Sequence, residues 1–127
     1  MPATPKPKAR TFKTAWFSKA AKKARIEDPA LCAYIQQAVQ GQADDLGGGV
    51  FKKRINNNMH RAIILAKAGR FWIFEYLFAK NDRENIEAAE LVQFRALAKA
   101  YTDLSDKKIE QLIGNNHFVE ICDDNKD

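Results

Sequence analysis

The stretch VFKKRINNNMHRAIILAKAGRFWIFEYLFA, residues 50–79, carries the pattern that decides the fold. It contains three runs rich in β-branched and aromatic residues, separated by short polar links. The runs are 50–55, 60–67 and 71–79. Links as short as Asn56–Met59 and Ala68–Arg70 join neighbouring antiparallel strands, so we predict a three-stranded meander. The third run is apolar on both faces, which predicts a central, covered strand.

The sequence before this meander predicts one strand and two helices. Residues 11–16, TFKTAW, have the composition of a strand. Ser18 can cap a first helix, which the alanines of SKAAKKARI favour. Asp28-Pro29 begins a second helix, with aspartate as N-cap and proline at the first helical position, and Gly41 ends it. Together the two form a helical hairpin.

The sequence after the meander predicts two more helices and a last short strand. Asp82–Ala100 has apolar residues at helical spacing and is predicted to be one long helix. Ser105 opens a shorter helix that ends at Gly114, and HFVEIC, residues 117–122, can form the strand. We predict a single α+β domain over residues 11–122. Its small antiparallel sheet carries the N-terminal helical hairpin on one face, and the C-terminal helices follow.

The bulk composition is that of one soluble domain with a basic excess. The 127 residues include 46% hydrophobic and 29% charged side chains, with a net charge of +5. Such a domain is expected to bind polyanions or an acidic partner. No apolar run has the length of a membrane span, and MPATPKPKAR lacks the apolar core of a secretory signal, so we expect a cytoplasmic protein without membrane partners. Residues 1–10 are predicted to be a flexible basic segment and residues 123–127 a disordered acidic tail.

The two cysteines, Cys32 and Cys122, are too few for a disulfide framework and lack the spacing of a zinc site. Cys32 lies in a helical pattern, where a cysteine is usually a small buried apolar residue. The sequence therefore predicts neither a disulfide framework nor a metal site, and a reducing cytoplasm is the simplest compartment.

Cationic side chains gather on the first hairpin, where they repel one another unless an anion binds. Side chains alternate across a strand, so Lys52 and Arg54 point away from the face that Phe51 and Ile55 share. Lys53 points to the same face as Phe51 and Ile55. A lysine suits this apolar face only near an edge of the sheet, or if its side chain snorkels to water.

Further cations are expected to converge on the same place. His60 and Arg61 follow the turn closely, so they should stand near the strand cations across the hairpin. If the strands are antiparallel neighbours, Lys80 and Arg83 leave the third strand in the same neighbourhood. We therefore predict a basic pocket that binds phosphate.

Four motifs also resemble those of a known family. They are AWF, LGGGVFKKR, HRAIILA and FAKNDRENI, at 15–17, 46–54, 60–66 and 78–86. Over about 11–122 the chain is similar to the RelE/ParE superfamily of toxins from bacterial toxin–antitoxin modules, especially its RelE-like branch. The resemblance implies a compact fold like that of microbial ribonucleases. It also implies an activity, because RelE-type members cut mRNA in the ribosomal A site without a metal ion or other cofactor.

The resemblance implies partners and residue roles as well. The partners are mRNA, the ribosome and a cognate antitoxin, which we expect to be a helix-turn-helix DNA-binding protein that covers the basic groove. By motif position, Lys52 and Arg54 match the strand cations of the family, and Arg61 matches the arginine that opens the next strand. Lys80 and Arg83 match the cations after the last long strand. The chain departs from the family pattern at three positions: His60, Asn81 and Glu87.

Metal-free RNA cleavage requires that the 2′-OH attack its own adjacent phosphate, with a base, an acid and cations to hold the extra charge. Lys52 or His60 can serve as the base, and His60 can equally be a surface histidine. Arg61 is the predicted phosphate clamp, which Lys80 assists. The predicted catalytic residues are Lys52, Arg54, His60, Arg61 and Lys80, and the predicted RNA-binding residues are Lys53, Asn81 and Arg83.

Two other functions stay open at this level. A toxin of the same fold can act on DNA gyrase instead, and a basic module can bind RNA or protein without catalysis. Among the remaining residues, Glu75 is unusual on an apolar strand and can pair with Lys53 or with a partner chain. Trp16 and Tyr76 are expected in the core. Glu84 is expected on a solvated helix face.

Overall fold

One sheet organises the protein in a computed structural model that describes residues 9–67 and 69–122. Within these residues the strands are β1 Arg10–Thr14, β2 Asp44–Asp45, β3 Val50–Ile55, β4 His60–Lys67, β5 Phe71–Ala79 and β6 Phe118–Ile121. The helices are α1 Ala15–Lys23, α2 Asp28–Val39, α3 Ala88–Thr102 and α4 Asp106–Gly114. The predicted acidic tail and residues 1–8 of the predicted flexible segment lie outside the described residues. Arg10, inside that predicted segment, already belongs to β1.

The predicted meander is confirmed, since β3, β4 and β5 have the predicted bounds and pair antiparallel in sequence order. The strand order is β2-β3-β4-β5-β1-β6, so β5 is interior, as predicted. The sheet is not wholly antiparallel, because β1 lies between β5 and β6 and runs parallel to β5. The sequence pattern did not predict this pairing, because it joins strands that are far apart in the chain.

Helices cover both faces of the sheet, and the predicted helical hairpin occupies one of them. On that face α1 and α2 bury Phe17, Leu31 and Ile35 against Ile64 and Phe74 of the sheet. Each is almost wholly inaccessible to water. Burial of one such side chain contributes roughly 1.5–3 kcal/mol. This packing fixes the two helices on the middle strands of the sheet.

On the opposite face α3 and α4 form two neighbouring clusters. In one of them α3 packs Ala98 against Ile63 and Leu65 of β4. In the other α4 packs Ile109 against Phe71 of β5. The α+β architecture predicted from the sequence is therefore confirmed, with the C-terminal helices on the second face.

Two helices begin elsewhere than predicted. The hydroxyl group of Thr14 accepts a hydrogen bond from the backbone N–H of Phe17 (3.1 Å), so α1 begins at Ala15, before Ser18. Trp16 is therefore helical rather than part of the first strand. α2 begins at Asp28 as predicted, but Glu27 is its N-cap.

The long helix predicted from Asp82 begins only at Ala88. Glu87 is its N-cap, and its side chain and that of Glu90 bond reciprocally to each other's backbone N–H groups, which is a capping box. Residues 80–87 are consequently turns and extended chain instead of a first helical turn. The helical spacing of apolar residues starts before Glu87. Such a pattern does not show at which residue the helix begins.

Cys32 and Cys122 form a disulfide bond, with Cα atoms 5.5 Å apart. The interpretation of Cys32 as a simple buried apolar residue was therefore wrong. The periodicity of α2 placed Cys32 correctly on a helix, but it could not show that the chain end after β6 passes beside it. The bond ties α2 to the far edge of the sheet across a sequence separation of 90 residues. Disulfides are rare in a reducing cytoplasm, so this bond does not support the expected cytoplasmic location. That location stays a prediction.

The glycine run at 47–49 is a packed structural loop. A Cβ atom on Gly49 would lie 2.8 Å from the carbonyl oxygen of Ala66, which leaves no room for a side chain. The guanidinium group of Arg95 donates to the carbonyl oxygens of Leu46 and Gly47 and covers the loop from α3. The loop thereby links β2, β3 and α3. Separately, none of the helices over the described ranges is both long enough and apolar enough to cross a membrane.

Candidate functional site

A polar cleft of about 630 Å³ opens where β5 ends. Its lining residues are Arg61, Lys80, Asn81, Asp82, Arg83 and Glu84. We call it the Arg61 cleft. Arg61 is the second residue of β4 and stands opposite Phe78 of β5. The other lining residues form the turn after β5, which the backbone bonds from Asp82 and Arg83 to the carbonyl oxygen of Ala79 hold closed. Register and turn thus bring together cations that the sequence separates.

Arg54 extends the positive surface from the Arg61 cleft to β3. It is directly opposite Arg61 in the β3–β4 register and is exposed. Lys52 pairs with Ile63 and so lies on the same face. Its Nζ atom donates to Asn85 Oδ1 (3.3 Å) and lies 3.9 Å from Asp44 Oδ2. These contacts hold Lys52 at the margin of the positive surface.

Three cations at this place have no carboxylate partner in the part of the chain that the structure describes: Arg54, Arg61 and Lys80. The Nη1 atom of Arg61 donates only to backbone carbonyls, those of Asn58 (3.0 Å) and His60 (3.1 Å). The turn that presents Asn58 is left-handed at Asn56, Asn57 and Asn58 (φ 54°, 55° and 68°), which asparagine tolerates better than most residues. Three positive charges therefore gather here without an ion pair to a carboxylate in the described chain.

Arg83 lines the same cleft but is already paired. Its guanidinium group forms two hydrogen bonds with the carboxylate of Glu90 and a longer one to the hydroxyl oxygen of Tyr76 (3.4 Å). It also lies over the Phe78 ring, 5.4 Å from its centroid. The hydrogen bonds with Glu90 raise the pKa of Arg83 and lower that of Glu90. Arg83 thus anchors the start of α3 to the sheet beside the cleft.

Two predicted site residues lie on the other face of the sheet. Lys53 is only 7% exposed, its Nζ atom donates to the carbonyl oxygen of Arg54 (3.2 Å), and burial lowers its pKa. His60 stands opposite Ile55, so its side chain shares the face of α1 and α2. Its Nδ1 atom is 3.0 Å from Asn56 Nδ2. The structure does not bring Lys53 or His60 into the Arg61 cleft, and their functional roles stay predictions.

The sequence interpretation missed two carboxylates and one aromatic residue near this site. Asp82 and Glu84 line the cleft, because the turn after β5 replaces the predicted helix. Trp16 is 51% exposed and stacks on Tyr76, with ring centroids 5.0 Å apart and planes at 24°. The expectation that Trp16 belongs to the core was wrong, because α1 begins one residue before it and turns it out of the strand. A search for N-caps at Thr14 would have found this.

Glu75 belongs to a different environment. It is the extra residue where the β4–β5 register shifts between Ile63 and Ile64, and it accepts a hydrogen bond from the Tyr101 hydroxyl group (2.9 Å). The suggested pairing with Lys53 is therefore wrong. Burial raises the pKa of Glu75 to about 6, and burial together with the nearby carboxylate raises the pKa of Tyr101.

The Arg61 cleft suits a phosphodiester. Guanidinium groups bind phosphate oxygens bidentately, and a lysine ammonium adds a point charge. Among residues 9–67 and 69–122 there is no cluster of three or more histidine, cysteine, aspartate or glutamate side chains that can hold a metal ion. Independence from metal nevertheless stays a prediction.

Comparison with protein families agrees with this arrangement. A family model described as "RelE toxin of RelE / RelB toxin-antitoxin system" matches residues 9–121, which include every strand and helix and the whole Arg61 cleft. That description names RelB as the other component of the system. No curated protein matches the chain. Because the family match covers far more than half of its length, this chain belongs to the RelE toxin family and is the toxin component of a toxin–antitoxin system.

Proposed function

We propose that this toxin is a ribosome-dependent endoribonuclease that cuts mRNA in the Arg61 cleft. One observation carries the proposal: Arg54, Arg61 and Lys80 converge from three strands at one edge of the sheet and have no carboxylate partner within the described residues. Like charges opposite each other across a strand pair destabilise the fold, so this arrangement costs stability unless a polyanion binds. RNA supplies that anion as a row of phosphates.

Arg61 is suited to hold the phosphate at which cleavage occurs. In the free protein only its Nη1 atom is engaged, and only by carbonyl oxygens of the adjacent turn. The remaining guanidinium N–H groups can donate to two phosphate oxygens at once. Lys80, exposed on the other side of the cleft, adds a second positive charge. Fixed cations of this kind stabilise the extra negative charge of the transition state more than the charge of the ground state.

The proposed reaction is a transesterification. The 2′-oxygen attacks the adjacent phosphorus atom, the bond from phosphorus to the 5′-oxygen breaks, and the 2′-OH proton passes to a base while a general acid or water gives a proton to the 5′-oxygen. The products are a 2′,3′-cyclic phosphate and a 5′-OH. Three side chains compete for the role of base: Lys52 on β3, and the carboxylates of Asp82 and Glu84 in the cleft. Single substitutions Lys52→Met, Asp82→Asn and Glu84→Gln separate them by the pH dependence of the cut rate.

The test uses purified, pre-formed ribosome complexes with a defined mRNA. We expect fragments that end in a 2′,3′-cyclic phosphate or its 3′-phosphate product, with a 5′-OH on the other fragment. An mRNA with a 2′-deoxy sugar at the cut position should resist. Ends that carry a 5′-phosphate, or undiminished cutting of the deoxy substrate, would show that activated water is the nucleophile.

A matched pair of lysine variants ties the activity to the cleft. Lys80→Ala removes a cleft cation, whereas Lys107→Ala removes an exposed cation of α4. We expect only Lys80→Ala to slow cutting. Toxicity in cells with intact mRNA would instead favour a target such as DNA gyrase, and equal activity of both variants would remove the cleft from the mechanism.

The same surface supports a proposal about the antitoxin. An uncovered cluster of cations would bind RNA indiscriminately, so the partner should cover the Arg61 cleft with an acidic or apolar segment. We expect Arg54→Glu with Lys80→Glu to weaken the complex, as measured by calorimetry with the antitoxin encoded beside the toxin. Lys107→Glu should leave the affinity unchanged. Equal affinity for all three proteins would place the antitoxin elsewhere.

A further inference from the structure

We propose that Trp16 and Tyr76 form a stacking platform for one base of the bound RNA. The platform adjoins the Arg61 cleft, and the proposal rests on the proposed function because it assigns a second subsite to the same RNA. It concerns recognition of the substrate rather than the bond that is cut.

The first observation is the exposure of Trp16. This tryptophan is 51% accessible although it is one of the largest apolar side chains in the protein. One face of its ring is stacked on Tyr76, 5.0 Å between centroids, while the residue as a whole stays half in water. Tyr76 in turn contacts Phe78 and Phe94, with ring centroids 5.9 Å away in each case. A ring held rigidly from one side, with its other side wet, loses little conformational entropy when a base stacks on it.

The second observation is position in the sheet. β1 and β5 run parallel with Lys13 opposite Phe74, so the chain after β1 leaves the sheet beside the second half of β5. Trp16 lies two residues after the end of β1, and Lys80 directly follows β5. Tyr76 precedes Lys80 by four residues on β5, which is roughly 13 Å along a strand. A base on Trp16 therefore belongs to a nucleotide near the phosphate in the cleft, but not to that phosphate itself.

The third observation is physical continuity between platform and cleft. The Nη1 atom of Arg83 donates to the Tyr76 hydroxyl oxygen (3.4 Å), and Arg83 lines the cleft with Arg61. Glu90 holds the Arg83 guanidinium group in this place through two hydrogen bonds. The aromatic pair and the phosphate-binding cations are thus linked through one fixed side chain.

Chemistry favours a nucleobase on this platform. The other large exposed apolar residues, Val39, Met59 and Val92, are aliphatic and offer no π-face. At Trp16 an exposed aromatic ring stacks on Tyr76, whose hydroxyl group bonds to Arg83 in the lining of the Arg61 cleft. Aromatic rings beside basic side chains are the arrangement with which proteins bind single-stranded nucleic acid, because every base has a π-face and every nucleotide a phosphate.

The test uses short single-stranded oligonucleotides of 2′-O-methyl RNA, which cannot undergo attack by the 2′-oxygen. One oligonucleotide is intact, and each of the others lacks the base at one position while keeping every phosphate. For the wild-type protein we expect one abasic position to cost roughly 5- to 150-fold in affinity, the range for loss of one stacked base. For Trp16→Leu the intact oligonucleotide should bind correspondingly more weakly, and the same abasic position should cost nothing further.

Three controls separate stacking from folding and from charge. Trp16→Phe keeps an aromatic ring and should retain most of the affinity, whereas Val39→Ala removes exposed apolar surface elsewhere and should bind normally. Trp16→Leu should leave the dependence of affinity on salt concentration unchanged, while Arg61→Ala should reduce that dependence by about one counterion. In a Trp72→Phe background, quenching of the remaining tryptophan fluorescence should report RNA binding even if Trp16→Leu folds poorly.

Several results would overturn the proposal. In the first, Trp16→Leu and every abasic position lower the RNA affinity independently of each other. In the second, Trp16→Leu keeps the RNA affinity of the wild type but binds the antitoxin more weakly. In the third, the wild type does not bind the oligonucleotides measurably. The assay does not depend on cleavage. The binding assay can show coupling between Trp16 and one base while the mRNA on the ribosome stays intact. That pair of results would contradict the proposed endonuclease but support the platform.

Discussion

The two ends of β5 have similar cations beside them, but these cations have different partners. At the end where β5 begins, Arg10 bonds to Glu120 through Nε and Nη2 (both 2.8 Å) and to Glu110 through Nη1 (2.9 Å). Beside it, Arg70 donates to the carbonyl oxygens of Thr102 and Leu104, which close the end of α3. We call this the paired end. At the cleft end, by contrast, Arg61 reaches only backbone oxygens of its own turn.

This difference separates stability from function. An arginine whose donors are all satisfied inside the protein holds elements together and has little left for a ligand. An arginine opposite another arginine adds repulsion to the folded state and keeps its donors for something else. The disulfide Cys32–Cys122 also lies at the paired end, because Cys122 follows Ile121, which pairs with Thr11 beside Arg10. The paired end therefore fixes the fold, whereas at the cleft end Arg54, Arg61 and Lys80 remain available to a ligand beside the paired Arg83.

The largest effect is expected from Arg61→Ala. The cut rate on ribosome complexes should fall by roughly 10²- to 10³-fold, as for loss of one preorganised donor to the transition-state charge. The free energy of unfolding should change by no more than about 0.5 kcal/mol, because the side chain forms no ion pair within the described residues. Rate measurements beside urea denaturation test both parts. A well-folded Arg61→Ala protein with full activity would erase the distinction between the ends.

The next largest effect is expected from the disulfide. A cross-link that closes a separation of 90 residues stabilises a fold by roughly 2–5 kcal/mol. The double substitution Cys32→Ala with Cys122→Ala should lower the free energy of unfolding by that amount and leave the cut rate unchanged. A reductant should destabilise the wild type but not the double variant. If the reductant leaves the unfolding transitions of both proteins unchanged, the stability of the paired end does not depend on this bond.

Arg70→Ala is the mirror image of Arg61→Ala. It leaves the carbonyl oxygens of Thr102 and Leu104 without their charged donor, which should cost roughly 1.5–3 kcal/mol of stability. Below the unfolding temperature its cut rate should equal that of the wild type. Thermal unfolding and the ribosome assay, performed on the same preparation, test the contrast. An Arg70→Ala protein that is stable but inactive would mean that the paired end also serves catalysis.

The smallest effect concerns Glu75, midway between the ends. Its folded pKa of about 6 lies above the ordinary value of 4.5, so the folded state holds the proton more tightly than the unfolded state. Stability from this group is therefore fully present below about pH 4.5 and is lost as pH rises through 6. Glu75→Gln, which keeps an acceptor for Tyr101, should abolish this slope and add roughly 1–2 kcal/mol at pH 7.

Denaturation of the wild type and Glu75→Gln between pH 4 and 8 tests this prediction. Tyr101→Phe removes a hydrogen bond that lowers the pKa of Glu75, so it should move the window of lost stability to higher pH. Parallel pH profiles for wild type and Glu75→Gln would contradict the raised pKa.

Local signals were enough to predict the meander. Apolar runs and the Asn56–Met59 turn specify β3, β4 and β5, and strand parity correctly placed Lys52 and Arg54 on the face opposite Phe51 and Ile55. The same alternation of side chains predicted that Lys53 points away from the face of Lys52 and Arg54. The structure confirms this, since Lys53 is buried on the other face. Periodicity two and a tight turn act over a few residues, so one sequence suffices to read them.

Features that depend on distant residues were not predictable in this way. The parallel β1–β5 pair and the disulfide bond each join positions that no local pattern connects. The true start of α3 was the critical detail, because a helix predicted from Asp82 would have put Arg83 and Glu90 on a solvated surface. The cleft and its two carboxylates exist only because that helix begins later.

The place of β1 in the sheet has a consequence for how the chain folds. β3, β4 and β5 are neighbours in sequence and can pair as soon as they are made, which is fast for local contacts. β1 is synthesised first, but its two partners are β5 and β6, the last of which ends at Ile121. During translation β1 must therefore wait, unpaired, until β5 has been made, and its other side stays unpaired until β6 is complete. The cations of the meander can be in place early, whereas Trp16, at the start of α1 directly after β1, can join them only once β1 has paired with β5.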